Sequence, residues 1–292
     1  MSSTPEPASA AEGWAEALRA WAIPAAIVEV APESPYGFPT ELFRRRGERS
    51  TRSAPTPTTQ RALEALPEGG TVLDIGVGGG GTSMPLAERA SSIVGVDGSA
   101  DMLAAFRATA ERSGVTARTI SGTWPEVADR AEAADVVVCG HVLYNVQDVA
   151  PFAQALTDHA VRRVVLELTE RHPWSWMNDL WLRFHALGRP DVPTAADAES
   201  VVRELGLEVR REDRLDTDVS GGFERRTDAV ALIRRRLCLP SDRDPELVQA
   251  LGDRLVEQRW PLVRGAPPAG DRHAVVGRGL KGSLSNPCSA GR

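Results

Sequence analysis

The chain has 292 residues, 42% of them apolar and 25% charged, and 34 Lys plus Arg against 40 Asp plus Glu leave a net charge of −6. Those fractions belong to an ordinary globular protein with a real core, in one elaborated domain or two small ones, and the acidic balance offers little to a nucleic acid or an anionic membrane. Cys139, Cys238 and Cys288 lie far apart, which argues against a disulfide framework or a zinc site and fits a reducing compartment.

Residues 1–13, "MSSTPEPASAAEG", are small and polar and are expected to form a disordered tail. They have neither the basic start nor the apolar core of a secretory signal, so a cytoplasmic protein is expected. From Trp14 to Arg46 the chain turns apolar and aromatic, but Pro24 interrupts any helix and "APESPYGFP" must extend or turn. The run Trp21 to Val28 is too short to cross a bilayer, so no membrane partner is expected. Trp21 to Phe43, within the segment that runs into the linker "STRSAPTPTTQ" (14–57), is too apolar to stay in water. It is expected to fold back as a lid over the domain that follows.

That domain, residues 58–280, alternates regularly. A short helix near 60–66 precedes strand 71–77, helix 83–90, strand 92–97, helix 100–112 and strand 117–121. A helical turn from Pro125, strand 135–140, helix 149–158 and strand 163–168 continue the series. The strands are short, β-branched and apolar on both faces, the mark of a parallel sheet covered on both sides. After an aromatic stretch (170–190) come helix 194–205, strand 207–212, helices 227–237 and 244–257, and strand 273–277. The expected fold is α/β: a doubly wound, mostly parallel seven-stranded sheet with a helical insertion (223–258) before the last strand. Residues 281–292 are expected to be a disordered tail.

"TVLDIGVGGGGTSMPLAERA" (71–90) places four consecutive glycines between the first strand and the next helix. Glycine loses most backbone entropy on folding, so such a run implies either a turn too tight for a Cβ or a close approach to the backbone by something other than protein. At the carboxyl end of a parallel strand that approach suits a nucleotide-like ligand, aided by the expected helix N-terminus. Gly76, Gly78 and Gly81 spell G-x-G-x-x-G and Gly76, Gly78 and Gly80 spell G-x-G-x-G, so spacing alone leaves a nicotinamide dinucleotide open. Asp97 ends the second strand and suits ribose hydroxyls in either case. Asp74, two residues before the first glycine, separates them: a carboxylate there suits a ligand bearing ammonium and sulfonium charge.

"VLDIGVGGG" followed by "VGVDGSADML" resembles the first two motifs of the class I S-adenosylmethionine-dependent methyltransferases, over roughly residues 58–170. The resemblance implies the Rossmann-like methyltransferase fold and S-adenosylmethionine as cofactor. It assigns Asp74 to the methionine ammonium, Gly76, Gly78 and Gly80 to the turn beneath the donor, and Asp97 to the ribose. Gly98, Ser99 and Met102 edge the adenine, and Ser99 also suits a helix N-cap. Where many members carry an acidic adenine contact, this chain has Thr123 and Trp124 in "SGTWPE". A backbone contact with Trp124 packed on the ring is expected in its place. Gly140, His141 and Val142 of "CGHVLYNV" match the segment beneath the transferable methyl.

On the acceptor side the resemblance and the aromatic composition point to Tyr36, Phe38, Tyr144, Asn145, His172 and Trp176. His141 and Tyr144 are the candidate catalytic residues; His141 is alternatively a strand-end histidine bonded to backbone. Methyl transfer needs no protonation of its leaving group, so alignment is the main demand on the protein. The implied activity is methylation of a small organic acceptor, with no metal, by a monomer or homodimer. A catalytically inactive donor-binding partner protein stands as the alternative, and a nicotinamide-dependent oxidoreductase as a remote one.

Overall fold

Runs of β-branched residues such as "TVLDI", "IVGV" and "DVVVC" pair best where both faces are covered, and they form the centre of a parallel sheet. The computed structural model describes residues 9–37, 39–50, 55–215, 223, 225–258, 262–265 and 272–277. Four helices open the chain: α1 (Ala10–Arg19), α2 (Ala25–Val28), α3 (Thr40–Ser50) and α4 (Pro57–Ala65). The alternating body follows as β1 (Gly70–Ile75), β2 (Ala90–Asp97), α5 (Ala100–Ser113), β3 (Thr116–Ser121), β4 (Ala134–Gly140), α6 (Val149–Asp158) and β5 (Ala160–Thr169). Then come α7 (Asn178–His185), α8 (Ala195–Glu204), β6 (Arg210–Leu215), α9 (Arg226–Arg236) and α10 (Asp244–Leu251). The described chain ends with β7 (Leu255–Gln258), β8 (Leu262–Gly265) and β9 (Arg272–Gly277).

The parallel strands run β3-β2-β1-β4-β5, so the order reverses between β1 and β4, and a crevice opens at their carboxyl ends. Beyond β5 the direction changes: β9 lies antiparallel on β5, and β6 antiparallel on β9. On one face of the sheet α1, α6 and α8 pack Trp14, Phe152 and Val201 against Leu73, Ile75 and Val137. On the other, α4 and α5 pack Ala62, Leu66 and Phe106 against Val72, Ile93 and Val136. A third cluster joins α7, α9 and α10 through Leu180, Trp181, Val230, Ile233 and Leu247, with Ile23 and Ile27 packed on it from the N-terminal segment. Among the described residues no helix is long and apolar enough to cross a membrane.

Three expectations are corrected. The tail placed at 1–13 is helical from Ala10, where the Ser9 hydroxyl accepts from the Glu12 amide and the Glu204 carboxylate accepts from the Ala10 amide at 2.9 Å. A ten-residue helix is marginal alone; burial of Trp14 and Leu18, roughly 1.5–3 kcal/mol for a fully buried side chain of that kind, holds it on the sheet. The helix expected at 83–90 is instead a run of turns around a single 3-10 turn, Met84–Leu86, and the four glycines that lead into it are poor helix formers. The glycine turn therefore does not lead directly into an α-helix. The helix expected over 244–257 ends at Leu251, where Gly252 takes φ 50° and the chain turns into β7.

Candidate functional site

The glycine turn follows directly from β1. Gly76, Gly78 and Gly80 have φ of 71°, 50° and 86°, a region that strains any residue with a Cβ. Asp97, at the end of β2, holds the turn: its Oδ2 accepts from the Gly78 amide at 3.0 Å and its Oδ1 from the Ser99 amide at 2.9 Å. Gly79 has a different reason. A Cβ there would stand 2.2 Å from the Phe43 carbonyl oxygen, and a Cβ on Gly47 would stand 1.9 Å from the Gly79 carbonyl oxygen. Helix α3 thus lies backbone against backbone on the turn, which only paired glycines permit. Val142 packs as closely on Gly76, 2.3 Å from where a Cβ would be. The expectation that a ligand explains these glycines is corrected in part: the protein's own segments make the close approach at Gly76 and Gly79.

Asp74 sits on β1 under this turn, buried, and neither of its carboxylate oxygens completes a hydrogen bond among the described residues. Burial pushes its pKa up to about 7; the nearby Ser83 hydroxyl and amide oppose the shift, and the negative charge of Asp97 adds to it. A buried carboxylate with no partner is costly and calls for a cationic one.

Along the rim beyond Asp97, Gly98 is exposed with nothing within 4 Å of a Cβ position, Thr123 is exposed and Met102 half-buried. Ser99 caps α5 by accepting from the Met102 amide at 3.3 Å. This edge is open. Trp124 departs from it: the indole is buried in the core beside α6 and meets His159 edge-on at 4.9 Å, so it is a core residue and not a platform for adenine.

At the end of β4, His141 takes the left-handed conformation with φ 60°, and its amide donates to the Glu167 carbonyl at 2.6 Å. Its Nε2 stands 3.8 Å from Glu167 Oε1, and Arg214 approaches the same oxygen at 3.5 Å. Glu167 went unnoticed in the sequence, although a carboxylate inside the apolar run "RVVLEL" was the available signal. A Cβ on Gly140 would stand 2.2 Å from Thr82 Oγ1, so the loop after the glycine turn closes on this strand end. Asn145 is exposed, its amide donating to the Val142 carbonyl at 3.2 Å. Tyr144 also departs from its expected role. It is buried, its hydroxyl donates to the Thr169 carbonyl at 2.7 Å, and burial pushes its pKa well above the usual phenol range. With Trp14 stacked at 5.6 Å and His172 edge-on at 5.5 Å it is a wall, not an acid or base.

Trp14 and Trp21 of the N-terminal segment pack beside Tyr144 and His172. Trp21 stacks on His172 with ring centroids 3.8 Å apart, and the indoles of Trp14 and Trp21 donate to the carbonyls of Val146 and Val192 at 2.7 and 2.6 Å. Burial, with the charges of Arg189 and Arg236, drives the His172 pKa down to about 3, so its imidazole is neutral. Trp176 is half-buried beside α7, and Tyr36 is 56% exposed. Phe38 lies outside the described residues.

The family described as "Methyltransferase domain" matches residues 72–162. The chain is 39% identical over 92 residues to a ubiquinone biosynthesis O-methyltransferase of Azorhizobium caulinodans, covering 32% of this chain and 36% of that protein. It is 41% identical over 85 residues to that of Paramagnetospirillum magneticum, covering 29% and 34%. The matched stretch spans about a third of the length of these curated relatives. A solved structure of YjhP from E. coli shares the fold, with TM-score 0.50 and 14% identity over 82% of this chain and all of that one. The sheet order, the glycine turn joined to Asp97 and the family match over residues 72–162 together make this part of the chain similar to methyltransferase domains.

Proposed function

We propose that the protein is an enzyme that transfers the methyl group of S-adenosylmethionine to a small organic acceptor. The observation that carries this reading is Asp74, a buried carboxylate with both oxygens unpartnered under a glycine turn whose neighbour, Asp97, faces an open rim. These residues fit the donor. Asp74 holds its ammonium end. Asp97 spends one lone pair of each oxygen on the turn and keeps capacity to accept from both ribose hydroxyls. Gly98, Ser99, Met102 and the Thr123 backbone edge its base. When bound, the donor supplies a methyl activated by sulfonium, which leaves by in-line displacement.

His141 takes the proton from an acceptor hydroxyl, thiol or amine, and Glu167 orients its imidazole and stabilises the imidazolium that forms. Gly140, Val142 and Asn145 border the methyl, and Tyr36, His172 and Trp176 border the acceptor. Helix α3 and Trp21 cover the mouth, exclude water and hold the acceptor in line. The buried free thiols Cys139 and Cys238 suit a reducing cytoplasm.

Calorimetric titration with S-adenosylmethionine and S-adenosylhomocysteine tests the reading. Micromolar binding of both is expected, and no binding of either at high micromolar concentration overturns it. Once an acceptor is found, His141→Ala is expected to lower kcat by about 100-fold or more with donor affinity unchanged, the usual scale of a positioned base.

A further inference from the structure

The mouth of the cleft has a cationic side that the donor reading does not use. Arg189 is half-buried between two indoles, its guanidinium carbon 5.1 Å from the Trp21 ring centroid and 5.0 Å from that of Trp181. It donates to the carbonyls of Ala22, at 3.1 Å, and of Trp21. Its Nε is buried with no acceptor, and no carboxylate acts on it among the described residues. Arg236 lies over the Trp174 ring at 4.5 Å, and Arg235 and Arg236 both donate to the Gly37 carbonyl, at 2.9 and 2.7 Å.

Carbonyl contacts position a guanidinium but leave its charge in place. The neighbouring Arg234 shows the contrast, since Glu33 at 3.0 Å and Asp244 at 3.3 Å neutralise it. The chain thus pairs one arginine of α9 with acids and leaves Arg189, across the cluster, to carbonyls and indoles. In a protein of net charge −6 that is a local inversion of sign. It is also connected to the site: the charges of Arg189 and Arg236 reach the His172 imidazole, which stacks on Trp21 and meets Tyr144 at the end of β4. A guanidinium fork suits a carboxylate or similar oxyanion, and the surrounding rings suit a flat apolar body.

We propose that Arg189 binds an anionic group of the acceptor, a carboxylate or comparable oxyanion, while the acceptor's apolar body lies against the half-buried Trp174 and His172. This deepens the methyl-transfer reading by naming the substrate class, and only the word acceptor rests on that reading. The test uses the full chain and a matched pair with nothing to methylate, 2-naphthoate and 2-naphthamide, titrated by calorimetry at two salt concentrations. The acid is expected to bind at least tenfold more tightly than the amide, with the advantage shrinking at high salt. Arg189→Gln should erase the preference and Arg189→Lys keep part of it, both with unchanged affinity for S-adenosylhomocysteine. Equal affinities of wild type for acid and amide, binding of neither, or a preference that survives Arg189→Gln overturns the proposal. If Arg189→Gln does not fold, the wild-type comparison decides alone. Loss of S-adenosylhomocysteine binding in wild type sinks the methyl-transfer reading while the acid–amide difference still reports on Arg189.

Discussion

The two halves of the cleft are built on opposite principles. The donor half is acidic and made of small residues: Asp74 and Asp97 stand at the ends of neighbouring parallel strands, with glycines between them. The half proposed for the acceptor is basic and aromatic, with Arg189 and Arg236 among Trp21, Trp174, Trp181 and His172. In the first, every functional atom is fixed by the parallel sheet and lies within a few residues of a strand end. In the second, the residues come from the N-terminal segment, the loop after β5 and helix α9, and only tertiary packing brings them together. A sheet edge can therefore be rebuilt one residue at a time, whereas the helical half should fail or shift as a unit.

The largest break in that comparison is expected at Asp97. Its carboxylate holds the turn and, in the function proposed above, accepts from the ribose, so Asp97→Ala removes charge-assisted bonds worth about 1.5–3 kcal/mol each. Affinity for S-adenosylhomocysteine should fall at least 100-fold by calorimetry, with naphthoate binding untouched. A loss of less than threefold would refute the ribose assignment.

The next effect separates the halves by pH. Asp74 has a folded pKa of about 7, raised by burial above that of an unfolded carboxylate, so the native state holds the extra proton. Stability from this group is present at low pH and declines as pH rises from about 4 through 7. His172 works in the other direction. Its folded pKa is depressed to about 3, so its contribution is complete above the unfolded value near 6.5 and declines as pH falls. Asp74→Asn should raise the thermal midpoint at pH 8, leave it nearly unchanged at pH 5, and weaken donor binding at least tenfold. His172→Gln should flatten the acid limb alone. Parallel melting curves of wild type and Asp74→Asn across pH 5–8.5 would rule out a buried, unpartnered charge.

The contrast also explains what the sequence made legible. The parallel strands, Asp74, Asp97 and the positive-φ glycines are local consequences of β-branched runs and a turn, and those are visible in one dimension. Trp124 and Tyr144 were misplaced because an aromatic beside a motif reads the same whether it faces a ligand or the core; burial and the Thr169 carbonyl decide it. Arg189 drew no role, since its meaning depends on which acids fail to reach it. The helix expected after the glycine turn gives way to turns, and the poor helix propensity of the glycines that lead into it was already present in the letters.

Gly47 lets α3 be tested against intrinsic propensity. Gly to Ala in a helix interior normally stabilises by about 1 kcal/mol, but here the new methyl would meet the Gly79 carbonyl oxygen at 1.9 Å. Because that neighbour is backbone within a held turn, it cannot yield cheaply. Gly47→Ala is expected to undock α3, so that limited proteolysis cuts near 43–50 faster than in wild type while the sheet's thermal midpoint moves by only a few degrees. A slower cut or a higher midpoint would mean that α3 does not rest on the turn.

The smallest expected effect is at Tyr144, and it bears directly on chemistry. The hydroxyl makes one hydrogen bond, to the Thr169 carbonyl, and the ring fills the space between Trp14 and His172. Tyr144→Phe keeps the ring and deletes one neutral bond, which costs about 1 kcal/mol. Part of that cost is the Thr169 carbonyl left without its donor, which ties the effect to the joint between β5 and the loop after β4. The thermal midpoint should fall by a few degrees, and donor and naphthoate affinities should stay within twofold. If methyl transfer fell 100-fold with binding intact, the hydroxyl would be acting on the acceptor, and the buried geometry would have to open during turnover. Retained turnover in Tyr144→Phe beside its loss in His141→Ala places the proton chemistry at the end of β4 and leaves the tyrosine as the wall between the two halves.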